Sequence, residues 1–319
     1  MICIAAGTIT PAARQWLART THARLLNIFE HTCNIVNQNG AIMTMATQHT
    51  PLAPFTLQIE AVDFHGLQAA DSAQVVGSEL YLGQWRIRTA NARVWNPVPD
   101  WASVRRAVTT DPDLLTLLNW QALTICPPGS LLELYCTPAS SAVLQQTALG
   151  AGKLVNGVRT HRLDQAIDGA RQLAGLGQGL TPSGDDFIIG VMLAAWAGLY
   201  GATAEDFCAP LAHAAAPRTT ALSAAFLHAA ARGEAMSPWH TLFAALACPD
   251  ALRAVLEVGH TSGADALAGF IASCYWKDIG VSFHQKADKR WRRETEAPSV
   301  ANFSRASLPK IYILFRCAG

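Results

Sequence analysis

The chain has 319 residues and a formal net charge of +1, and half of its residues are hydrophobic while 15% are charged. A chain of this length and composition has enough apolar residues for a substantial core and for about two domains, and its small net charge predicts neither nucleic-acid binding nor attachment to a membrane surface. The eight cysteines include no CxxC pair, which is typical of reduced thiols in a cytoplasmic protein.

Residues 1–150 are predicted to form a β-rich domain. Three segments have the apolar runs or the alternation expected of strands, namely 56–60, 81–88 and 130–137. One helix is expected to interrupt them, with Asp111 as its N-cap and Pro112 in its first turn. The glycine-containing stretch 150–157 is interpreted as a domain boundary.

Residues 151–276 are predicted to form an Ala-rich helical domain, because apolar residues recur there at helical spacing. Within it, the segment 187–204 has no charged residue and approaches the length that spans a bilayer. Its glycines and alanines favour a buried core helix instead. The sequence therefore predicts an α+β protein, with a β-rich N-terminal half followed by an Ala-rich helical C-terminal half.

The last segment, 277–319, differs in character from the rest of the chain. It contains nine Lys or Arg residues against four Asp or Glu residues, and it shows no clear helical period. We predict a basic tail that is poorly ordered. A basic docking arm and a shift in the reading frame of the gene are the alternatives.

The most informative motif is GLGQGLTPSGDDFIIG, at 175–190. Two carboxylates, Asp185 and Asp186, stand where a glycine-rich loop enters an apolar helix. Helix capping is one explanation, because Ser183 would be the N-cap with an acidic residue three positions later, and the helix dipole favours acids in the first turn. Capping accounts for one aspartate, and a second one behind three glycines indicates a ligand.

A second copy of the motif follows 79 residues later, at 259–276. Both copies read Ser-Gly-x-Asp-x-x-x-Gly, the first from Ser183 and the second from Ser262. The glycine four residues after each aspartate lies one helical turn along on the same face, where a neighbouring helix or a ligand can approach. A chance likeness is the alternative. If the repeat is real, two helix N-termini converge on one site.

Glycine-rich loops at helix N-termini present backbone N–H groups to phosphate or carboxylate. Bare carboxylates repel such anions. The aspartates therefore point either to a bridging Mg²⁺ ion, with Asp185 and Asp186 as its ligands, or to a ligand whose amide N–H groups need acceptors. The motif is neither a dinucleotide-binding fingerprint, since no strand-like run precedes it, nor a P-loop, since no lysine follows the last glycine.

The predicted site residues fall into two groups. The candidates for catalysis are Asp185, Asp186, Asp265 and His260. The candidates for binding substrate or phosphate are Gly177, Gly179, Thr181, Ser183, Gly184, Arg218, Thr219, Ser262 and Gly263. Arg218, Thr219 and Thr220, together with Ser223, begin a helix after Pro217 and would supply a cationic clamp for an anion. An ordinary helix start is the alternative.

The motif at 175–190 resembles that of a bacterial family long catalogued as of unknown function, the AllH/YlbF-like proteins. Four further segments resemble the family in order and spacing, namely 25–47, 90–97, 219–233 and 259–270. The resemblance covers about residues 20–275. The segment after Trp276 does not share it.

The resemblance implies one subunit of a three-component oxamate carbamoyltransferase in anaerobic allantoin (purine) degradation. Such an enzyme converts oxalurate and phosphate to oxamate and carbamoyl phosphate, which a carbamate kinase uses to make ATP. The implied partners are the other subunits of the same enzyme and small anionic substrates, with neither nucleic acid nor a membrane among them. The alternatives are a non-catalytic assembly subunit and a stand-alone metal-dependent carboxylase or hydrolase that acts on a small acid.

The phosphate-binding loop of the aspartate and ornithine carbamoyltransferases, Ser-x-Arg-Thr-Arg, is absent from this sequence. Carbamoyl transfer by a protein of this kind would therefore use different machinery.

Overall fold

The computed structural model of the chain describes residues 1–136, 142–200 and 204–275. Within these ranges, strands are confined to the part before Trp95, and all the longer helices follow Asp100. This arrangement confirms the predicted α+β fold, in which a β-rich part precedes a helical part. The predicted basic tail, 277–319, lies outside the described residues.

The strands of the described part form one sheet. In chain order they are β1 (Ile2–Ile9), β2 (His22–Ile28), β3 (Thr32–Asn37), β4 (Ile42–Thr47), β5 (Thr56–Ile59), β6 (Ser72–Val76), β7 (Glu79–Leu82), β8 (Trp85–Arg88) and β9 (Arg93–Val94). Their spatial order is β5-β4-β3-β2-β6-β7-β8-β1-β9, and β1 also pairs with β5. That additional pairing closes the sheet on itself and encloses a core of apolar side chains such as Ile35, Met43 and Leu80.

The described part of the chain contains twelve α-helices. They are α1 (Pro11–Ala18), α2 (Trp101–Thr110), α3 (Asp113–Ile125), α4 (Glu133–Cys136), α5 (Ala142–Arg159), α6 (Leu163–Leu173), α7 (Ser183–Trp196), α8 (Ala204–Ala215), α9 (Ala221–Ala231), α10 (Ser237–Ala244), α11 (Pro249–Leu256) and α12 (Ser262–Tyr275). In the described ranges, no helix combines the length and the apolar character needed to cross a membrane.

The predicted strands are confirmed in two of three cases. The segment 56–60 contains β5. The segment 81–88 contains the end of β7, a turn at Gly83, where φ is +54°, and all of β8. The segment 130–137 was wrongly predicted as a strand, since its described residues form a turn and the short helix α4. Leu131, Leu132 and Leu134 are all buried, and this spacing suits a helical turn rather than strand alternation.

The helix predicted after Asp111 is α3, but its N-cap is Pro112, and the side chain of Asp111 accepts a hydrogen bond from the N–H of Asp113 at 3.2 Å. Helices α1 and α2 were not predicted. The start of α2 does carry a sequence signal, because Asp100 accepts a hydrogen bond from the N–H of Ser103 as a capping residue does.

The stretch 150–157, interpreted as a domain boundary, lies within α5. A Cβ atom on Gly157 would be 2.3 Å from the backbone nitrogen of Ala166, and one on Gly169 would be 2.3 Å from that of Leu154. These glycines therefore allow α5 and α6 to pack backbone to backbone. The division of the chain into domains stays a prediction.

Helix α7 contains most of the uncharged segment 187–204, and it is buried as predicted. Phe187, Ile188 and Met192 are at most 1% exposed. The helix ends at Trp196, before the segment does, and Ala197 is its C-cap.

Helices α7 and α12 cross at a pair of glycines. A Cβ on Gly190 would lie 1.8 Å from the carbonyl oxygen of Ala266, and a Cβ on Gly269 would lie 2.0 Å from that of Phe187. Phe187 and Ala266 occupy equivalent places in the two copies of the motif. The contacts are thus reciprocal, as in two helices related by a local two-fold axis.

The repeat extends back into the preceding helices. The N–H of Gly184 donates to Leu176 O (2.9 Å), and the N–H of Gly263 donates to Val258 O (3.0 Å). Each of these glycines also lies directly against the last turn of the helix before it, α6 in the first copy and α11 in the second. Each copy is therefore a helix, a loop and a second helix that meet at a buried glycine.

Candidate functional site

The two copies of the motif meet at the start of α7 and α12. The hydroxyl oxygens of Thr181 and Ser262 are 2.8 Å apart, which joins the loop before α7 to the first residue of α12. The prediction of Ser183 as an N-cap was wrong, because Ser183 is the first residue of α7. Pro182 is the N-cap, and α7 has no side-chain capping hydrogen bond. The aspartates of α7 therefore need an explanation other than capping.

Asp185 is fully buried and joins three parts of the chain. Its Oδ1 accepts a hydrogen bond from the N–H of Gly175 (3.1 Å), and its Oδ2 accepts from the hydroxyls of Thr219 and of Ser223 (2.9 Å). Burial raises the pKa of Asp185, and these three donors oppose that rise. Asp185 thus ties the end of α6 and the start of α9 to α7.

Asp186 and Asp265 are equivalent residues of the two copies, and each has one carboxyl oxygen without a partner. Asp186 is 5% exposed and Asp265 is fully buried. The Oδ2 atoms of both side chains are buried and have no hydrogen-bond partner in the described part of the chain. Oδ1 of Asp265 accepts from the N–H of Leu131 at 2.6 Å. Unpaired buried oxygens are costly and uncommon, so they mark a place where a ligand or a proton belongs.

The electrostatics of these two carboxyls are coupled across the repeat. Burial raises the pKa of Asp186 well above its usual value, and the neighbouring carboxyls of Asp265 and Asp185 raise it further, while the hydroxyl of Ser262 opposes the rise. Burial also raises the pKa of Asp265, and the N–H of Leu131 and the hydroxyl of Ser183 oppose it. Each helix thus places its first serine beside the aspartate of the other helix.

The loop before α7 carries free backbone donors. The N–H groups of residues 177–181 donate no hydrogen bond to any group that the structure describes. Gly177 and Gly179 are exposed and have φ of +118° and +92°, values that other residues rarely adopt. Consecutive free N–H groups next to a helix N-terminus suit an anion.

The remaining predicted residues lie elsewhere or serve packing. The N–H groups of Gly184 and Gly263 are engaged by loop carbonyls, so these two glycines hold the repeat together. Arg218 is exposed and its Nε donates to the carbonyl of Arg171. His260 lies in the exposed turn before α12, and among the described residues no hydrogen bond links it to the three aspartates.

The predicted Mg²⁺ site is only partly matched by these residues. In the described ranges, no three His, Cys, Asp or Glu side chains are placed to share a metal ion. Both oxygens of Asp185 already accept hydrogen bonds, so a cation would have to displace those donors. Asp186 and Asp265 retain one oxygen each. The Mg²⁺ ion stays a prediction.

One contact of the site was missed in the sequence. Leu131 takes part through its backbone N–H, for which no residue type gives a signal. Ser223 was grouped with Arg218 and Thr219 in the predicted anion clamp, but in the structure its hydroxyl, in the first turn of α9, donates to Asp185.

We expect Ser223→Ala to lower the free energy of unfolding by about 1–3 kcal/mol, because a fully buried carboxyl loses a donor. The measurement is urea unfolding of the purified chain. Ser103→Ala is the matched control, since its hydroxyl donates to Asp100 at 2.6 Å near the surface, and its loss should cost on the order of 0.5 kcal/mol. Equal losses in the two variants would contradict the structural role of Asp185.

Two family models match the chain. The model of the oxamate carbamoyltransferase subunit AllH matches residues 173–274, which include both copies of the motif, and the model of the AllH family N-terminal domain matches residues 5–94, which include most of the sheet. No solved structure matches the chain. The resemblance noted in the motif at 175–190 is confirmed, and the chain belongs to the AllH family of oxamate carbamoyltransferase subunits.

Proposed function

We propose that this chain takes part directly in the phosphorolysis of oxalurate, as the subunit that binds the substrates at the paired motifs. The products are oxamate and carbamoyl phosphate. The observation that carries the proposal is the pair of buried, unpaired carboxyl oxygens, Oδ2 of Asp186 and Oδ2 of Asp265, beside a loop with free N–H groups.

The substrates have the chemical groups that such a site needs. Oxalurate and oxamate carry amide N–H groups, which would donate to the free oxygens of Asp186 and Asp265. Phosphate would accept from the N–H groups of residues 177–181, at the positive end of the α7 dipole. The two features of the site thus match the two reactants separately, with acceptors for the amide and donors for the anion.

The reaction requires the transfer of one proton. An oxygen of hydrogen phosphate forms a bond to the carbamoyl carbon of oxalurate, the bond from that carbon to the nitrogen of the oxamate half breaks, and this nitrogen takes the proton that the phosphate hydroxyl loses. Burial raises the pKa of Asp186 well above its usual value. A protonated carboxyl at this place would pass its proton to the leaving nitrogen and would then take up the proton that the phosphate hydroxyl loses.

The test is reconstitution. The chain is co-expressed with candidate partner subunits, and carbamoyl phosphate formed from oxalurate and phosphate is measured through a carbamate kinase that makes ATP. We expect product from the complete assembly and none when this chain is omitted.

Calorimetry with the chain alone separates catalysis from assembly. If the chain binds the substrates, oxamate and inorganic phosphate should each give a saturable signal. If the assembly needs the chain for activity and the isolated chain binds neither compound, the chain is a non-catalytic assembly subunit and the proposal is wrong.

A further inference from the structure

Two cysteines bracket the segment that supports Asp265. Cys126 is the C-cap of α3 and Cys136 ends α4, and their Sγ atoms are 3.5 Å apart, with the thiol of Cys136 donating. Between them, the N–H of Leu131 donates to Asp265. We propose that Cys126 and Cys136 form a reversible disulfide that shifts this segment and loosens the hydrogen bond to Asp265. The inference goes beyond the proposed reaction and does not depend on it.

The geometry favours this pair over the other thiols. A disulfide bond is about 2.05 Å long, so the two sulfur atoms need to approach by only about 1.5 Å. Cys136 is exposed, which gives an oxidant access to it. Cys33 and Cys208, by contrast, are fully buried.

The backbone at Cys126 also marks this place as unusual. Its φ is +27°, in the left-handed region that residues other than glycine rarely adopt. Such a conformation persists where the surrounding structure enforces it, and it often accompanies a functional constraint. Here it brings the thiol of Cys126 to that of Cys136.

The chemistry requires an oxidant of the peroxide class. Hydrogen peroxide oxidises the thiolate of the exposed Cys136 to a sulfenic acid and releases hydroxide. The sulfur of Cys126 then attacks the sulfenic sulfur, the S–O bond breaks, and the proton of the Cys126 thiol leaves with the hydroxide as water. Burial raises the pKa of Cys126 to about 12, which suits it to the second, resolving role rather than to the first attack. A dithiol reductant reverses the bond by exchange.

The disulfide would act on Asp265 through a short, well-anchored segment. The hydroxyl of Ser130 donates to Pro127 O at 2.7 Å, and Tyr135 donates to the carbonyl of Ala268 in α12 at 2.8 Å. Drawing the two ends of such a segment together moves the turn between them as a unit. The hydrogen bond from Leu131 to Asp265 lies in the middle of that turn.

The first test exploits the spacing of the cleavage sites. No Lys or Arg lies between Arg106 and Lys153, and Glu133 lies between the two cysteines. The purified full-length chain is treated with hydrogen peroxide and digested with trypsin and then with a glutamate-specific protease. We expect the two fragments on either side of Glu133 to stay linked until dithiothreitol is added. The mass of the linked pair should be lower by two hydrogen atoms than the summed mass of the two separate fragments.

The second test measures the effect of the disulfide on the hydrogen bond from Leu131 to Asp265. Hydrogen–deuterium exchange at the Leu131 amide should become about tenfold faster in the oxidised wild type. Cys136→Ser should show neither the linked fragments nor faster exchange after peroxide, whereas Cys3→Ser, which removes another exposed thiol, should behave as wild type. Absence of linked fragments in the wild type overturns the disulfide. Linked fragments with unchanged exchange at Leu131 overturn the coupling to Asp265.

Discussion

Gly190→Ala is expected to lower the free energy of unfolding by at least about 3 kcal/mol, since overpacking a tight interior costs 1–3 kcal/mol and a clash with backbone costs more. The added Cβ would lie 1.8 Å from the carbonyl oxygen of Ala266 and 2.8 Å from the backbone nitrogen of Phe270. Neither atom can move unless α7 and α12 separate. A loss of this size is a large part of the stability of an ordinary domain.

The control for this substitution is Gly7→Ala in β1, where a Cβ would meet no atom within 4 Å. Urea unfolding of both variants measures the difference, and Gly7→Ala should lie within about 0.5 kcal/mol of the wild type. Gly269→Ala should resemble Gly190→Ala because its contact with Phe187 is the reciprocal one. A Gly190→Ala protein as stable as the Gly7→Ala protein would rule out the close crossing of α7 and α12.

The glycine crossing is the part of the fold that the sequence predicted best. The two copies of Ser-Gly-x-Asp-x-x-x-Gly placed Gly190 and Gly269 one turn after their aspartates, and the periodicity of a helix then predicted a close approach on that face. What the pattern could not show was the partner. Each glycine packs on the other copy, and this reciprocity appears only when both helices are placed in space.

The closure of the sheet could not be predicted from the sequence. Strand-like segments such as 56–60 are recognisable from local alternation, but the pairing of β1 with β5 joins residues about fifty positions apart. Register over such distances is set by the shared core and not by local residue types. The strand wrongly predicted at 130–137 has a related cause, because a short apolar run alone does not distinguish a strand from a helical segment. Only the burial of Leu131, Leu132 and Leu134 in the structure shows the helical spacing.

In the candidate site, the sequence indicated Asp185, Asp186 and Asp265, which the structure brings close together, but not how these carboxyls differ. Asp185 and Asp186 are adjacent and of the same type, but their side chains point in different directions because consecutive residues lie on different sides of a helix. One reaches three donors and serves the fold, while the other reaches the second copy of the motif and keeps a free oxygen. Donors from Gly175 and Ser223 decide this difference, and their positions depend on how α6 and α9 pack.

Asp186→Asn is expected to reduce the activity of the reconstituted assembly by about 10²–10⁴-fold, the usual contribution of a general acid or base. The amide keeps the size of the side chain but has no proton to pass to the leaving nitrogen. Asp250→Asn is the matched control, because Asp250 is also an acid in the first turn of a helix, α11, but is exposed. It should retain wild-type activity.

The same substitution should also stabilise the chain relative to the wild type, and this difference should grow as the pH rises. The folded-state pKa of Asp186 is raised by burial, so the folded protein holds this proton more tightly than the unfolded chain does. The resulting stability is fully present below the unfolded pKa of about 3.9 and is lost as the pH rises through the folded pKa. Asp186→Asn has no such proton to lose, so its free energy of unfolding should exceed that of the wild type by roughly 1 kcal/mol or more near neutral pH.

Urea unfolding of Asp186→Asn, Asp250→Asn and the wild type, at several pH values between about 4 and 8, distinguishes a functional carboxyl from a structural one. If the variant is inactive and its stability relative to the wild type increases with rising pH, the wild type holds this buried carboxyl at a cost in stability, as functional sites commonly do. If Asp186→Asn instead loses stability as well as activity, Asp186 serves the packing of α7 and α12. The chemistry would then have to lie with Asp265 or in the partner subunits.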